Sequence, residues 1–340
     1  MTRSRRVGST LFEREEPQLG LFDDRNESEQ PDRAQILRAE LESLRDRLPS
    51  KVRFGTSSWT FPGWAGLVYT KRYGSQKRFL RESLGEYASH PLMRTVGIDR
   101  GYYTPVPAED LATYARQLPD DFRAAMKVWQ QVTMPGFPRH PRYGENAGRP
   151  NPDFLNPALF VESVHAPVLA SFARNMGPWI VEIAPCPFPV DPSWFSQRLG
   201  AFLREVPRDF PFAIELRDRG LLTKPYAHTL REHDASHVFN YWSRMPGIAE
   251  QMRHEELLEG PLVVARLLLP PGKRYADLKE QYAPFDRLVA PQEDMRREVV
   301  ALLRAALERD AECYVLVNNK AEGSSPLTVQ ALAKLLCSAP

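Results

Sequence analysis

Short apolar runs alternate with segments of helical period along almost the whole chain after residue 50. The runs are rich in β-branched and aromatic residues and cover residues 52–56, 94–99, 122–128, 179–184, 212–216, 237–241, 262–269 and 313–318. The helical segments that follow them cover residues 77–88, 108–118, 157–175, 193–206, 225–233, 247–258, 295–308 and 326–336. Because the runs are nearly continuous in apolar residues, they are typical of strands buried on both faces of a parallel sheet.

The repeated strand–helix order leaves two folds open. Eight parallel strands, each followed by a helix, within about 290 residues are the pattern of a (β/α)8 barrel. A doubly wound open sheet is the alternative, but no Gly-x-Gly-x-x-Gly sequence follows the first predicted strand. We therefore predict an α/β fold, a TIM-like (β/α)8 barrel over residues 50–338.

The segment before the barrel divides into two parts. Residues 1–33 are crowded with charge of both signs and have no sustained helical or strand period. Such a segment buries too little apolar surface to fold alone, so we expect a disordered tail. The next part predicts a lead-in helix over residues 34–48, because leucines recur at spacings of three and four at Leu37, Leu41, Leu44 and Leu48.

Composition limits the class of protein. The chain has 45 Lys and Arg against 43 Asp and Glu, so its net charge is +2. This charge excludes a protein that binds nucleic acid through a generally basic surface, but it is compatible with a local basic cleft. Three widely spaced cysteines predict no disulfide framework, and no His-x-His or His-Glu-x-x-His pattern indicates a metal site. No run approaches the ~18 apolar residues that cross a bilayer. We expect a soluble cytoplasmic protein with no metal, no cofactor and no membrane partner.

Charged and polar residues concentrate at the predicted carboxyl ends of the strands, where barrel active sites lie. Glu215 and Arg217 have the same parity on one strand, so their side chains point to one face. The candidate catalytic residues are Glu215, Asp99 and Lys127. The candidate substrate-binding residues are Arg217, Arg266, Glu182, Asn318, Asn319, Lys320, Tyr103 and Trp59. The structural alternative is that the charged residues form buried ion pairs and that the aromatic residues pack in the core.

This mixture of four cations and three carboxylates suits an anionic or polyhydroxylated ligand. Two classes of function stay open. One is an enzyme, a metal-independent hydrolase or lyase, acting on an anionic substrate that contains phosphate or sugar, nucleic acid included. The other is a non-catalytic module that binds a small anion or serves a repair assembly.

Several short motifs occur in the order of a known family. They are Phe54-Gly55-Thr56-Ser57-Ser58-Trp59 with Trp64 and Tyr69, Gly101-Tyr102-Tyr103 with Pro105, Leu118-Pro119-Asp120-Asp121-Phe122 before Lys127, Ala213-Ile214-Glu215-Leu216-Arg217, and Tyr314-Val315-Leu316-Val317-Asn318-Asn319 with Gly323 and Pro326. Through them, residues 52–336 resemble the YecE-like family, domain of unknown function 72 (DUF72). The resemblance implies a TIM-like barrel with a polar pocket at the strand ends and no established reaction.

The chain departs from the family pattern at three strand ends. Val96-Gly97-Ile98-Asp99 stands where the family usually carries a Val-Glu-Ile-Asn-like sequence, so the glutamate is missing. Glu182 stands where a glutamine is usual, and Arg266 continues into an apolar run where a His-Gly is usual. These differences imply a pocket whose chemistry differs from that of other members.

A second resemblance lies in the tail. Gln18-Leu19-Gly20-Leu21-Phe22 is similar to the Gln-Leu-x-Leu-Phe peptides by which bacterial replication and repair proteins dock on the DNA polymerase sliding clamp. A disordered tail can fold into a groove, where Leu19, Leu21 and Phe22 would be buried and Gln18 would form hydrogen bonds. The alternative is that these residues pack back onto the barrel. Clamp docking would link the protein to DNA replication or repair.

Overall fold

The computed structural model describes residues 31–338, and a closed barrel of eight parallel strands forms its centre. The strands are β1 Val52–Thr56, β2 Thr95–Ile98, β3 Arg123–Lys127, β4 Met176–Ile183, β5 Phe212–Leu216, β6 Ser236–Tyr241, β7 Leu262–Leu267 and β8 Glu312–Val317. Each strand pairs with the next, and β8 pairs with β1. The predicted (β/α)8 barrel is confirmed, and the doubly wound open sheet is wrong because the sheet closes on itself.

Twelve α-helices lie within the described residues. They are α1 Pro31–Arg47, α2 Gln76–Ala88, α3 Ala108–Ala115, α4 Gln130–Thr133, α5 Pro157–Phe160, α6 Ala166–Ser171, α7 Pro192–Glu205, α8 Lys224–Glu232, α9 Ile248–Gln251, α10 Tyr275–Tyr282, α11 Glu293–Glu308 and α12 Ser325–Cys337. A π-helical turn joins α5 to α6 into one helical segment. The lead-in helix starts at Pro31, slightly before the predicted residue 34, while the predicted tail up to residue 30 lies outside the described residues.

Local sequence explains where several helices begin. The Asp191 side chain accepts a hydrogen bond from the Trp194 N–H, and Pro192 occupies the first turn of α7. Ser75 caps α2 by accepting from the Arg78 N–H. Such caps satisfy backbone donors that have no partner inside the helix.

The structure differs from the predicted helices in several places, among them the short helix α4, which was not predicted, and the predicted helix over residues 157–175, which ends as a 3-10 turn, Ala173–Asn175. The predicted helix over residues 247–258 is α9 followed by a separate 3-10 turn, Glu255–Leu258. Helix α10 was not predicted, because its eight residues bury only Leu278 and Tyr282 and therefore show little helical period. It lies in the connection after β7. No helix between residues 31 and 338 is both long and apolar enough to cross a membrane.

The barrel interior is apolar up to the level of the strand ends. Side chains of one parity on the strands form a compact interior cluster of Ala125, Ile180, Ala213, Val238, Leu262, Val264, Tyr314 and Leu316. Side chains of the opposite parity, such as Phe54, Trp179 and Phe239, pack outward against the helices in the main core. The next inward positions toward the carboxyl ends of the strands carry charge, and they form the candidate site.

Candidate functional site

Six charged side chains meet above the apolar interior, and we call them the ionic cluster. Glu182 on β4 pairs with Glu215 on β5, and Arg266 on β7 pairs with Asn240 on β6. The carboxyl ends of parallel strands meet at one rim, which brings residues distant in sequence together. The cluster consists of Asp99 after β2, Lys127 at the end of β3, Glu182 on β4, Glu215 on β5, Arg217 directly after β5, and Arg266 on β7.

Arg266 joins two of the three carboxylates. Its Nη2 donates to both oxygens of Asp99, at 3.0 Å from Oδ1 and 2.7 Å from Oδ2. Its Nη1 donates to Glu215 Oε2. Because a guanidinium presents its donors in a rigid plane, Arg266 fixes the positions of Asp99 and Glu215 relative to each other.

Glu182 is held by the other two cations. Its Oε2 lies 2.8 Å from Lys127 Nζ and 2.7 Å from Arg217 Nη2. Arg217 Nη2 also lies 2.8 Å from Glu215 Oε1, and Lys127 Nζ lies 3.6 Å from Asp99 Oδ2. Each member of the cluster therefore contacts at least two members of opposite sign.

The formal charges of the ionic cluster cancel, which its burial requires. The side chains of Glu215 and Arg266 are fully buried, whereas that of Asp99 is 29% exposed. A buried ion without a partner costs several kcal/mol, so three carboxylates are tolerated here only because three cations accompany them. Asp99 is the carboxylate that a ligand at the mouth can reach most easily.

The cluster changes the pKa of its members in the directions that keep them charged. Burial alone raises the pKa of Glu182, but Arg217, Lys127 and Arg266 together lower that pKa to about 2. Burial lowers the pKa of Arg266, and the charges of Asp99, Glu215 and Glu182 more than reverse this effect. Glu182 therefore stays ionised at neutral pH and does not supply a proton there.

Aromatic rings extend the cluster toward the surface. Lys127 Nζ lies 4.9 Å from the centre of the Tyr102 ring, and the Arg217 guanidinium lies 4.1 Å from the centre of the Trp242 ring. Both distances suit cation–π contact. Tyr102 and Trp242 also line a cleft of about 660 Å³, which we call the mouth cleft.

The mouth cleft is lined by cations and aromatic rings. Its cations are Arg142, from the long connection after β3, and Arg244, Lys273 and Arg274, from the connections after β6 and β7. Its other aromatic residues are Tyr143 and Tyr275, and no Asp or Glu between residues 31 and 338 lines it. The long connection after β3 reaches the barrel mouth, where its residues Met134, Pro138, Arg142 and Tyr143 line the cleft.

Asn318 and Asn319, predicted to bind substrate, form local hydrogen bonds. Asn318 Oδ1 accepts from the Lys320 N–H at 3.0 Å. Asn319 Oδ1 accepts from Trp64 Nε1 at 3.2 Å and from the N–H and hydroxyl of Ser325, each at 2.8 Å. These bonds fix the turn between β8 and α12 and leave the two amides turned toward the fold.

The remaining predicted site residues surround the cluster at greater distance. Lys320 is buried and lies 4.1 Å from the centre of the Tyr275 ring, at the edge of the mouth cleft. Trp59 is buried edge-on against Tyr114, with ring centres 5.1 Å apart. Tyr103 is 60% exposed beside the mouth.

Sequence reasoning missed the cations of the mouth cleft. Arg142, Arg244, Lys273 and Arg274 occur in connections without periodicity, so nothing in the local pattern separates them from ordinary surface residues. The only available signal was the length of the connection that carries Arg142, because long ordered loops are often binding loops. Among the described residues, no group of three or more His, Cys, Asp or Glu side chains has the arrangement of a metal site.

Fold and cluster together define a (β/α)8-barrel protein whose polar site lies at the carboxyl ends of the strands. A family model described as "Protein of unknown function DUF72" matches residues 53–339. The chain therefore belongs to the DUF72 family. No curated protein matches this chain.

Solved structures of two other members share the fold. A DUF72 family protein from Enterococcus faecalis V583 is 19% identical with a TM-score of 0.55, covering 85% of this chain and 96% of its own. A DUF72 family protein from Thermotoga maritima MSB8 is 18% identical with a TM-score of 0.57, covering 84% of this chain and 99% of its own. At such identities the likeness concerns the fold alone.

The structure explains why a glycine stands at position 97. A Cβ added at Gly97 would lie 2.8 Å from the carbonyl oxygen of Ser57 and 3.0 Å from its Cα. The backbone after β1 thus fills the space that a side chain on β2 would need. In this chain Asp99 is the carboxylate that the end of β2 presents at the mouth.

The lowered pKa of Glu182 predicts a specific acid response. A carboxyl group with a folded-state pKa of about 2 against an ordinary 4.5 stabilises the fold above pH 4.5, and this contribution is lost as the pH falls toward 2. The melting temperature of the unmodified protein should therefore fall more steeply between about pH 5 and pH 3 than that of Glu182→Gln. The control is Glu259→Gln, which removes a half-exposed carboxylate 3.8 Å from Arg231 and should leave the slope unchanged. Equal slopes for the unmodified protein and Glu182→Gln would contradict the assignment.

Proposed function

We propose that the chain binds an anionic ligand containing phosphate or sugar in the mouth cleft, which adjoins the ionic cluster through Tyr102 and Trp242. The observation that carries the proposal is the composition of the lining: four cations come from three connections, with no acidic residue among the described lining residues. The charges of the ionic cluster cancel, so the positive field at the mouth comes from these cations. A concave site of one sign attracts and holds a ligand of the other.

The size of the cleft supports a small-molecule or short-polymer ligand. Its volume of about 660 Å³ lies within the range of ~300–1,000 Å³ that is usual for ligand pockets. The ionic cluster holds two lining residues, Tyr102 and Trp242, through Lys127 and Arg217, and its side chains are tied to one another by short ion pairs. Lining residues that are held in place lower the ordering cost of binding.

In the catalytic form of the proposal, Asp99 and Lys127 are the acid–base pair of a metal-independent hydrolase or lyase. Asp99 is the most exposed carboxylate of the cluster, and Lys127 Nζ lies 3.6 Å from it. Glu215 is fully buried between Arg217 and Arg266, so its role in this proposal is to orient these two guanidiniums. A general acid or base must reach the reacting atom, which favours Asp99 over Glu215.

The second candidate function is non-catalytic binding, and one observation favours it. Every charged group of the cluster is compensated within the cluster, and the pKa of Glu182 is far from neutrality. General acid–base groups usually have a pKa near the working pH. If Asp99→Asn and Lys127→Ala leave any detected turnover unchanged, these two residues are not catalytic and the site they belong to serves binding alone.

The proposal predicts which ligands stabilise the protein. In a thermal-shift screen with inorganic phosphate, sugar phosphates, carboxylates, nucleotides and short damaged DNA, phosphate-containing ligands should raise the melting temperature most. The double variant Arg244→Ala/Lys273→Ala should weaken binding of the best ligand at least tenfold in calorimetry, because hydrogen bonds to charged groups contribute about 1.5–3 kcal/mol each.

The matched control removes a cation outside the cleft. Arg309 is exposed at the end of α11, and Arg309→Ala should bind the same ligand with unchanged affinity. If no anion shifts the melting temperature, or if Arg309→Ala weakens binding as much as the double variant, the mouth cleft is not an anion site.

The proposed link to DNA replication or repair rests on Gln18, Leu19, Leu21 and Phe22, which lie outside the described residues. A synthetic peptide of residues 16–24 should bind a bacterial sliding clamp with a Kd in the micromolar range, about −8 kcal/mol, because ordering a disordered peptide lowers its affinity. Replacing both Leu21 and Phe22 with Ala should abolish binding. The same double substitution in the whole protein should leave its melting temperature unchanged. An inert peptide, or a destabilised whole protein, would show that these side chains belong to the fold.

A further inference from the structure

The aromatic residues at the barrel mouth narrow the class of anion. Tyr103, after β2, and Tyr275, at the start of α10, expose 60% and 53% of their surfaces. Large exposed rings are unusual on a protein surface, since burial of such a ring is favourable. Here two of them stand on different connections at the rim of one basic cleft. A ligand that carries only phosphate makes no use of them.

The rings and the cations belong to one surface. Ring centres of Tyr102 and Tyr103 lie 5.4 Å apart, and Tyr102 lines the mouth cleft together with Arg142 and Tyr275. Tyr103 therefore adjoins the mouth cleft through its ring contact with Tyr102.

Cations already contact three of the rings that line the cleft. Arg142 lies 4.5 Å from the centre of the Tyr143 ring, Arg217 lies 4.1 Å from that of Trp242, and Lys320 lies 4.1 Å from that of Tyr275. Each contact fixes the orientation of the ring. Flat rings held in fixed orientations between cations form a stacking surface for nucleobases, which pairs naturally with phosphate recognition.

We propose that the mouth cleft binds single-stranded nucleic acid, with bases stacked on Tyr103 and Tyr275 and phosphates held by Arg142, Arg244, Lys273 and Arg274. This inference rests on the proposed function, because it names the ligand of the same cleft. A strand offers successive bases and phosphates, which matches rings on two connections and cations on three. A duplex keeps its bases paired and stacked inside, so it presents no base to either tyrosine.

The net charge of the chain predicts how nucleic-acid binding should depend on salt concentration. Because the net charge is only +2, binding must come from the local cleft and not from a general basic surface. Four phosphate contacts predict a slope of about −3 for log K against log salt concentration, since each contact with a single strand contributes about −0.7. A slope much steeper than this would indicate binding elsewhere on the protein.

The experiment measures fluorescence anisotropy of the full-length protein with a labelled oligothymidine of about 12 nucleotides, a duplex of the same length and inorganic polyphosphate as competitor. The single strand should bind at least tenfold more tightly than the duplex. Tyr103→Ala and Tyr275→Ala should each weaken single-strand binding about fivefold or more, because stacking of one base contributes about 1–3 kcal/mol. Tyr103→Phe and Tyr275→Phe keep the ring, so both should bind the single strand within about twofold of the unmodified protein.

Two controls separate stacking from charge and from folding. Arg244→Ala should reduce the salt slope by about 0.7, while both tyrosine-to-alanine variants should leave that slope unchanged. Tyr103→Ala changes a residue that is 60% exposed, so its melting temperature should match that of the unmodified protein. Tyr275→Ala also removes the contact between Tyr275 and Lys320. Tyr103→Ala therefore tests the inference independently, because Tyr103 lies on the connection after β2.

The outcomes distinguish this inference from the proposed function. Equal binding of strand and duplex, or identical binding by the Ala and Phe variants, would overturn single-strand recognition. In that case, if polyphosphate still binds and its binding depends on Arg244 and Lys273, the proposed anion site in the mouth cleft is retained. If neither oligonucleotide nor polyphosphate binds, the proposed function fails and the inference fails with it.

Discussion

The fully buried pair of Glu215 and Arg266 is the interaction on which the rest of the site depends. Neither side chain reaches solvent, and loss of either one would leave the buried cluster with an unbalanced charge. Arg266 extends this pairing to Asp99 at the mouth, and Glu215 extends it to Arg217. Because the low-dielectric interior requires balanced charge, the remaining pair, Lys127 and Glu182, completes three cations and three carboxylates.

The fold could be predicted from the sequence because every strand is a short apolar run and most helices carry a clear helical period. Runs such as that of β7 are apolar on both faces, and only a parallel sheet covered by helices buries such runs. The convergence of Lys127, Glu182 and Arg266 followed from the barrel itself, since the carboxyl ends of its strands form one rim. Helix α10 escaped prediction because it buries too few side chains to leave a helical pattern.

The ion-pair partners and the cleft could not be predicted in the same way. Nothing in the sequence indicates that Asn319 accepts hydrogen bonds from Trp64 and Ser325, because this geometry depends on how the turn after β8 meets the connection after β1. The cations of the mouth cleft are exposed loop residues such as Arg244, and burial imposes no pattern on them. Sequence periodicity reports what is buried, whereas ligand recognition depends on what stays accessible.

The site has two adjoining parts with different charge. The ionic cluster is neutral and fixed by short ion pairs, whereas four cations and no Asp or Glu of the described residues line the mouth cleft. Gly97 limits the space beside the cluster, because the backbone at Ser57 excludes a longer residue there. Since the solved structures of the two other DUF72 members are only 19% and 18% identical to this chain, its ligand should be identified on this protein.

The most direct test of the charge-balance account is a double-mutant cycle between Glu215 and Arg266, measured as the free energy of unfolding in denaturant. Glu215→Gln and Arg266→Met should each cost about 3–5 kcal/mol, because each leaves the buried cluster with one unbalanced charge. The double variant restores balance, so its cost should fall short of the sum of the single costs by about 2–3 kcal/mol. Costs that add to within about 0.5 kcal/mol would show that the two residues do not depend on each other, and the account would be wrong.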